Sequence, residues 1–175
     1  RNVAHHYDLS GELYELFLGA DRQYSCAYFE TPEIDLETAQ ELKKRHLADK
    51  LIISAGQNIL DVGSGWGGMG IFLAKKTGAR VTGVTLSEEQ LKVSLQRVKK
   101  EGLAGQVEFY LRDYRDLTGV FDRIISVGMF EHVGIGYFDS YFNKFENLLA
   151  DDGIALLHTI GRNGPPSVTD PFIRK

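Results

Sequence analysis

The run Asn58-Ile-Leu-Asp-Val-Gly-Ser-Gly-Trp-Gly-Gly68 decides how the rest of the chain is read. Ile59 to Val62 is apolar except for Asp61 and breaks off into Gly63, Gly65, Gly67 and Gly68, the pattern of a buried strand feeding a tight turn. From Trp66 the chain continues through Ile71, Phe72, Leu73 and Ala74 at spacings that suit a helix, so the glycines mark a strand-to-helix junction. Such a junction suits a ligand. Residues without Cβ let it lie against the backbone, and a helix N-terminus offers unpaired N–H groups and the positive end of a dipole.

Gly63, Gly65 and Gly68 formally satisfy G-x-G-x-x-G, a pattern also used for dinucleotides. Two details point elsewhere. Asp61 precedes the first glycine by two residues and enters the site as a carboxylate at the strand end. The next strand, Arg80 to Thr85, ends in Thr85 where a nicotinamide ribose wants an acid. The pattern that remains is a nucleoside pocket of the S-adenosylmethionine type.

A chain of 175 residues fits one domain with a sizeable core. No apolar run approaches the length of a membrane span, and the first residues lack a signal-peptide pattern. The single cysteine, Cys26, excludes an internal disulfide and suits a reducing cytoplasm. The net charge of −4 argues against nucleic acid as the main partner. The clusters Lys43, Lys44, Arg45 and Arg97, Lys99, Lys100 read as solvated helix faces.

Within Arg1 to Ala20 an amphipathic helix carries Leu9, Leu13, Leu16 and Phe17 on one stripe, and reads as a lid over the site. Gln23 to Phe29 is a dense aromatic loop that offers Tyr24 and Tyr28 for stacking. A helix starts at Asp35 as N-cap and runs to about Ile53, with Gly56 as its stop. Beyond the glycine turn, strands at Arg80–Thr85, Val107–Leu111, Phe121–Val127 and Ile154–Ile160 alternate with helices at Ser87–Glu101 and about Tyr137–Leu149. Ser87-Glu-Glu-Gln90 has the form of a capping box. The last helix sets Phe138, Tyr141, Phe142, Phe145 and Leu148 on its buried side, and Gly153 ends the connection that follows. This alternation implies an α/β fold, a parallel sheet with helices on both faces and right-handed crossovers.

In such a sheet the ligand crevice lies beyond the carboxyl ends of the strands. The polar residues fall there: Asp61 and Gly63 after the first strand, Thr85 after the second, Arg112-Asp113-Tyr114 after the third, Gly128 to His132 after the fourth, His158 to Gly161 at the fifth. Singly, Asp113 also reads as a helix cap, His158 as a core histidine and Tyr114 as packing. Jointly they describe a site.

The elements Tyr24-Ser-Cys-Ala-Tyr-Phe29, Leu60-Asp-Val-Gly-Ser-Gly-Trp-Gly-Gly68, Val84-Thr-Leu-Ser-Glu-Glu-Gln90, Arg112-Asp-Tyr-Arg-Asp-Leu117, Phe121 to Gly134 and Leu156-Leu-His-Thr-Ile-Gly161 strongly resemble the cyclopropane-fatty-acid synthase family, including the mycolic acid cyclopropane synthases. The resemblance covers nearly all of Tyr7 to Lys175. It implies a Rossmann-like class I methyltransferase fold, with residues 1–56 as a helical lid and contacting loop and 57–175 as the S-adenosylmethionine-binding core. Tyr24, Ser25, Gly63 and Gly65 would line the methionine and sulfonium part of the cofactor, near Asp61. Thr85, Leu86 and Gln90 would lie along ribose and adenine, with Asp113 and Tyr114 at the adenine end. Gln90 thus has two candidate tasks, capping and cofactor contact, and the second is favoured.

The resemblance also implies a bicarbonate ion held by Cys26, Gly128, Glu131, His158 and the backbone of Ile160, and no metal. An alkene attacking a sulfonium methyl leaves a carbocation in an apolar channel, and a proton must leave the new methyl group before the ring closes. A carboxylate kept against lipid would be costly to hold ionised, whereas a small anion held by N–H groups, an imidazole and a glutamate able to carry a proton could act as base. Aromatic faces at Tyr24 or Tyr28 would stabilise the cation, and Cys26 would be a wall of the anion site. The implied substrate is an unsaturated phospholipid acyl chain, reached by peripheral contact with the inner face of the membrane from the cytoplasm, with a homodimer as a further expectation. Family members continue past the equivalent of Lys175 with the last strands and a tyrosine of the anion site. A piece ending at Asp170-Pro-Phe-Ile-Arg-Lys175 is therefore expected to form the cofactor crevice without being a complete catalyst. The competing readings are an amine N-methyltransferase of related sequence, a cofactor-binding protein without catalysis, and a nicotinamide-dependent reductase.

Overall fold

The computed structural model describes residues 14, 16–161 and 163–165. Leu9 and Leu13 of the N-terminal stripe and the ending at 170–175 lie outside the described residues. Leu16 and Phe17 are described, and both are exposed.

Five parallel strands form one sheet: β1 (Asn58–Val62), β2 (Arg80–Thr85), β3 (Val107–Leu111), β4 (Phe121–Val127) and β5 (Leu149–His158), in the order β3-β2-β1-β4-β5. The helices are α1 (Leu36–Leu51), α2 (Gly68–Thr77), α3 (Glu88–Lys100) and α4 (Phe138–Leu148). Period-two alternation along the strands sends side chains to two separate cores. Ile59, Val81, Phe109 and Ile125 pack with residues of α1, α2 and α3, while Leu60, Val62, Val84 and Ile124 pack with Tyr141, Phe145 and Leu148 of α4. Both faces of the sheet are thus covered, as the near-continuous apolar strands require.

Local chemistry explains the helix limits. Asp35 caps α1 by accepting from Thr38 N at 2.7 Å, and Ser87 caps α3 by accepting from Gln90 N at 3.3 Å. Helix α1 stops at Leu51, because Ile52 takes the left-handed conformation with φ 48°. The buried guanidinium of Arg123 makes that end tenable: Nε donates to the carbonyl of Leu51 at 2.6 Å and Nη2 to that of Ile52 at 3.1 Å. A cation from β4 therefore satisfies the last carbonyls of a helix 72 positions away in sequence.

Three expectations need correction. The fifth strand begins at Leu149, directly after α4, and ends at His158 instead of spanning Ile154–Ile160. Pairing steps from Phe121↔Leu149 to Arg123↔Ile154, so Ala150 to Gly153 form a bulge inside the strand, and Gly153 is part of it and no terminator. Phe142 is half exposed, leaving Tyr141, Phe145 and Leu148 as the buried face of α4. Lys43 and Lys44 are buried and not solvated, since the segment before α1 folds back over them with polar partners.

Replacing Arg123 by Met would leave the Leu51 and Ile52 carbonyls without their donor. We expect a loss of about 1–3 kcal/mol in urea unfolding, with the same slope as wild type; unchanged stability would remove Arg123 from this role.

Candidate functional site

The sheet order places β1 between β2 and β4, and the chain leaves β1 and β4 for helices on opposite faces. A crevice opens at that divergence, as it does in open α/β sheets generally. It has a volume of about 900 Å³. The glycine turn forms its floor. Gly63 and Ser64 donate their N–H groups to the carbonyl of Val84 at 3.0 and 2.9 Å, which locks the turn against β2. Gly63 has φ 78°, and a Cβ there would meet Met129 Cγ at 2.8 Å. Gly67, the N-cap of α2 with φ 82°, has equally little room, because a Cβ would meet Phe109 Cζ at 2.8 Å. Gly67 stands outside the G-x-G-x-x-G fingerprint, and the sequence marks it only as one of the glycines of the strand-to-helix junction.

Every residue expected around the cofactor lines this crevice: Tyr24, Ser25, Asp61, Gly63, Gly65, Thr85, Leu86, Gln90, Asp113 and Tyr114. Several also do structural work. Thr85 Oγ1 donates to Gln90 Oε1 at 2.7 Å and accepts from Ser87 N at 3.2 Å, both within the wall. Gln90 thus takes part in the start of α3 through its N–H and faces the crevice with its side chain. Asp113 caps the single 3-10 turn Tyr114–Asp116 by accepting from Arg115 N at 2.9 Å, and Arg115 Nη2 donates to its other oxygen at 2.6 Å. The side-chain bond from Arg115 holds the Asp113 carboxyl below its ordinary range. Tyr114 packs edge-on to Tyr141, with ring centroids 5.6 Å apart.

Asp61 is the electrostatic centre of the floor. It is fully buried and pushed up to about 7 by that burial, against the pull of the Gly70 N–H. Among the described residues its Oδ2 has no hydrogen-bond partner. A buried carboxylate oxygen without a donor is costly unless a ligand supplies one.

Gly128, Glu131, His158 and Ile160, four of the five residues expected at the anion, are linked in pairs beside the crevice. Gly128 lines it, and Gly128 N donates to the carbonyl of His158 at 3.0 Å. Ile160 N donates to Glu131 Oε1 at 2.7 Å. Burial works against the charged form of Glu131, but the N–H of Ile160 and further hydrogen bonds outweigh it, so the carboxyl sits below its ordinary range. Burial, aided by the charge of Lys43, lowers His158, and its Nδ1 is buried and unpartnered among the described residues. The imidazole is therefore neutral at pH 7, with Glu131 close enough to act on it. Cys26 is exposed and adjoins Ser25. Tyr28 is turned away from this role, since it stacks on His46 with centroids 4.9 Å apart, and Tyr24 alone of the two lines the crevice. Among the described residues no cluster of His, Cys, Asp and Glu is arranged to hold a metal ion.

Sequence reasoning missed the clasp that holds the near wall. Asp21 takes Lys44 Nζ at 2.7 Å and the Arg97 guanidinium, while Arg97 Nη1 also donates to the carbonyl of Trp66 at 3.0 Å. Burial opposes ionisation of Asp21, but its two cations prevail and hold it below the usual carboxylate range. The segment carrying Gln23, Tyr24 and Ser25 is thereby tied to α1, α3 and the glycine turn at once.

Known proteins share this arrangement. The chain is 47% identical over 160 residues to a probable fatty acid methyltransferase of Pseudomonas putida, covering 90% of this chain and 41% of that protein. It is 45% identical over 170 residues to the cyclopropane-fatty-acyl-phospholipid synthase of Escherichia coli strain K12, covering 97% and 43%. Its fold matches a crystal structure of a mycolic acid cyclopropane synthase complexed with SAH and CTAB, with TM-score 0.86 and 37% identity over 89% of this chain and 55% of that one. The chain thus spans about half the length of the relatives it matches. The family model of mycolic acid cyclopropane synthetase matches residues 1–174, and on that match the chain belongs to this family.

Proposed function

We propose that this chain carries the cofactor half of an enzyme that transfers a methylene group from S-adenosylmethionine to a cis double bond in a phospholipid acyl chain, forming a cyclopropane. The observation that carries this reading is the junction at Gly128, which lines the nucleoside-sized crevice and is hydrogen-bonded to His158 of the neighbouring polar corner. Donor and base are then brought within reach of one substrate carbon.

The crevice fits the cofactor on its own terms. The orphaned Asp61 oxygen and the open space beside Gly65 suit a cationic, phosphate-free nucleoside. S-adenosylmethionine supplies an electrophilic methyl carbon on a sulfonium. Tyr24 offers a ring face toward developing positive charge. The polar corner has a donor and acceptor set suited to bicarbonate, with an ionised Glu131 to accept its O–H and a neutral His158 beside it. Bicarbonate supplies a base for the proton lost from the new methyl group. His158 can take up a proton, and Glu131 stabilises the imidazolium so formed. The substrate sits in a bilayer, so the protein works against a membrane surface from the cytoplasmic side. No described helix is long and apolar enough to cross one.

Incubating the full-length protein with methyl-labelled S-adenosylmethionine and vesicles of unsaturated phospholipid should place the label in the acyl chain. Label appearing only in an added amine would favour the N-methyltransferase reading instead. Glu131→Gln should slow acyl labelling by roughly 10²–10⁴-fold with cofactor affinity within about threefold of wild type.

Asp61 gives an independent test. A group that titrates near 7 is mostly protonated at about pH 6, and a cationic ligand drives it to ionise, so binding releases a proton. Calorimetry in buffers of different ionisation enthalpy should find close to one proton released per S-adenosylmethionine bound at about pH 6, and none from Asp61→Asn. Equal proton counts for the two proteins would separate Asp61 from the ligand.

A further inference from the structure

Lys43 of α1 is 2% exposed, yet among the described residues no carboxylate lies within ion-pair distance of its ammonium. Its neighbour Lys44 is paired with both Asp21 and Glu41. Lys43 Nζ instead donates to two neutral oxygens, Ser25 Oγ at 2.8 Å and Gln23 Oε1 at 3.0 Å. An ammonium carries three donors, and two neutral acceptors compensate poorly for its lost hydration. Burial pulls it down to about 8, with Asp21 and Cys26 acting against that fall and Lys44 adding to it. It remains mostly charged at neutral pH.

What lies around it decides what that charge does. Ser25 backs onto Gly128, where an added Cβ would stand 3.3 Å from Ser25 Cβ, and Gly128 is bonded to His158. The charge of Lys43 reaches His158. Lys43 thus stands behind Gln23 and Ser25 of the crevice wall, without a carboxylate in ion-pair contact among the described residues.

We propose that Lys43 is a positioning residue, whose buried ammonium fixes Ser25 and Gln23 in the crevice wall and supplies the positive charge that draws an anion to the corner of Cys26, Glu131 and His158. This rests on the proposed function, in which that corner holds bicarbonate. It adds a role for a residue that touches neither substrate nor cofactor.

The test uses the full-length protein, Lys43→Gln, whose amide can still donate to Ser25, and Lys43→Met, which keeps the buried stem without charge. Each is titrated calorimetrically with bicarbonate in carbon-dioxide-depleted buffer and, separately, with S-adenosylmethionine. Removing a unit charge at this range should weaken bicarbonate binding about tenfold or more in both variants. S-adenosylmethionine affinity should stay within about threefold in Lys43→Gln and fall further in Lys43→Met. Thermal melting identifies any variant that does not fold, and Lys43→Met, which relieves a buried charge, serves if the glutamine variant fails. Wild-type bicarbonate affinity in either folded variant would overturn the role of Lys43 alone. A wild-type protein that binds no bicarbonate would overturn the proposed base together with this inference.

Discussion

The structure depends on strand β1 having a parallel partner on each side, β2 and β4, while the helices that follow those strands pack on different faces of the sheet. Chain leaving β1 must turn toward α2, and chain leaving β4 must turn the other way toward α4. No backbone can fill the gap between the two exits, so the crevice is a consequence of strand order before any side chain is specified. The glycines then set how closely a ligand can approach. Gly63 and Gly67 hold positive φ where Met129 and Phe109 leave no space for a Cβ.

Side chains give this generic hollow its chemical character. Burial keeps Asp61 on the edge of ionisation in the floor, while hydrogen bonds keep Glu131 charged at the rim. Two carboxyls in one region are driven apart by their surroundings, one toward the acid form and one toward the anion. Such separation is what acid–base chemistry at neutral pH requires.

Much of this was legible in the sequence. Strands β1 to β4 show as apolar runs bounded by glycine and polar residues, and their predicted limits agree with the structure to within a residue. Asp61, Gly63, Thr85, Asp113 and Tyr114 were legible for the same reason, since each stands at or just after the end of a strand, whereas Tyr24, Ser25 and Gln90 were legible only through the family resemblance. Strand β5 was misjudged because Gly153 has the sequence of a stop, whereas the structure absorbs it in a bulge whose pairing partner, β4, lies far back in the chain. Lys43 and Lys44 were misjudged because lysine is ordinarily solvated, and their burial depends on Asp21, Gln23 and Ser25 folding back from outside the helix. Local pattern reports local structure; it is blind to a polar partner delivered from another segment.

The first residue of α2 lies hard against the segment that precedes α1: a Cβ on Gly68 would strike the side-chain amide of Gln23 and the carboxylate of Asp21. In many nucleotide folds the start of this helix is kept open for a diphosphate. Here the chain has parked one of its own acids beside it and anchored that acid with Lys44 and Arg97. An incoming phosphate would meet a crowded approach. The glycine pattern that elsewhere leaves room for a diphosphate is here closed over by the chain's own aspartate and glutamine.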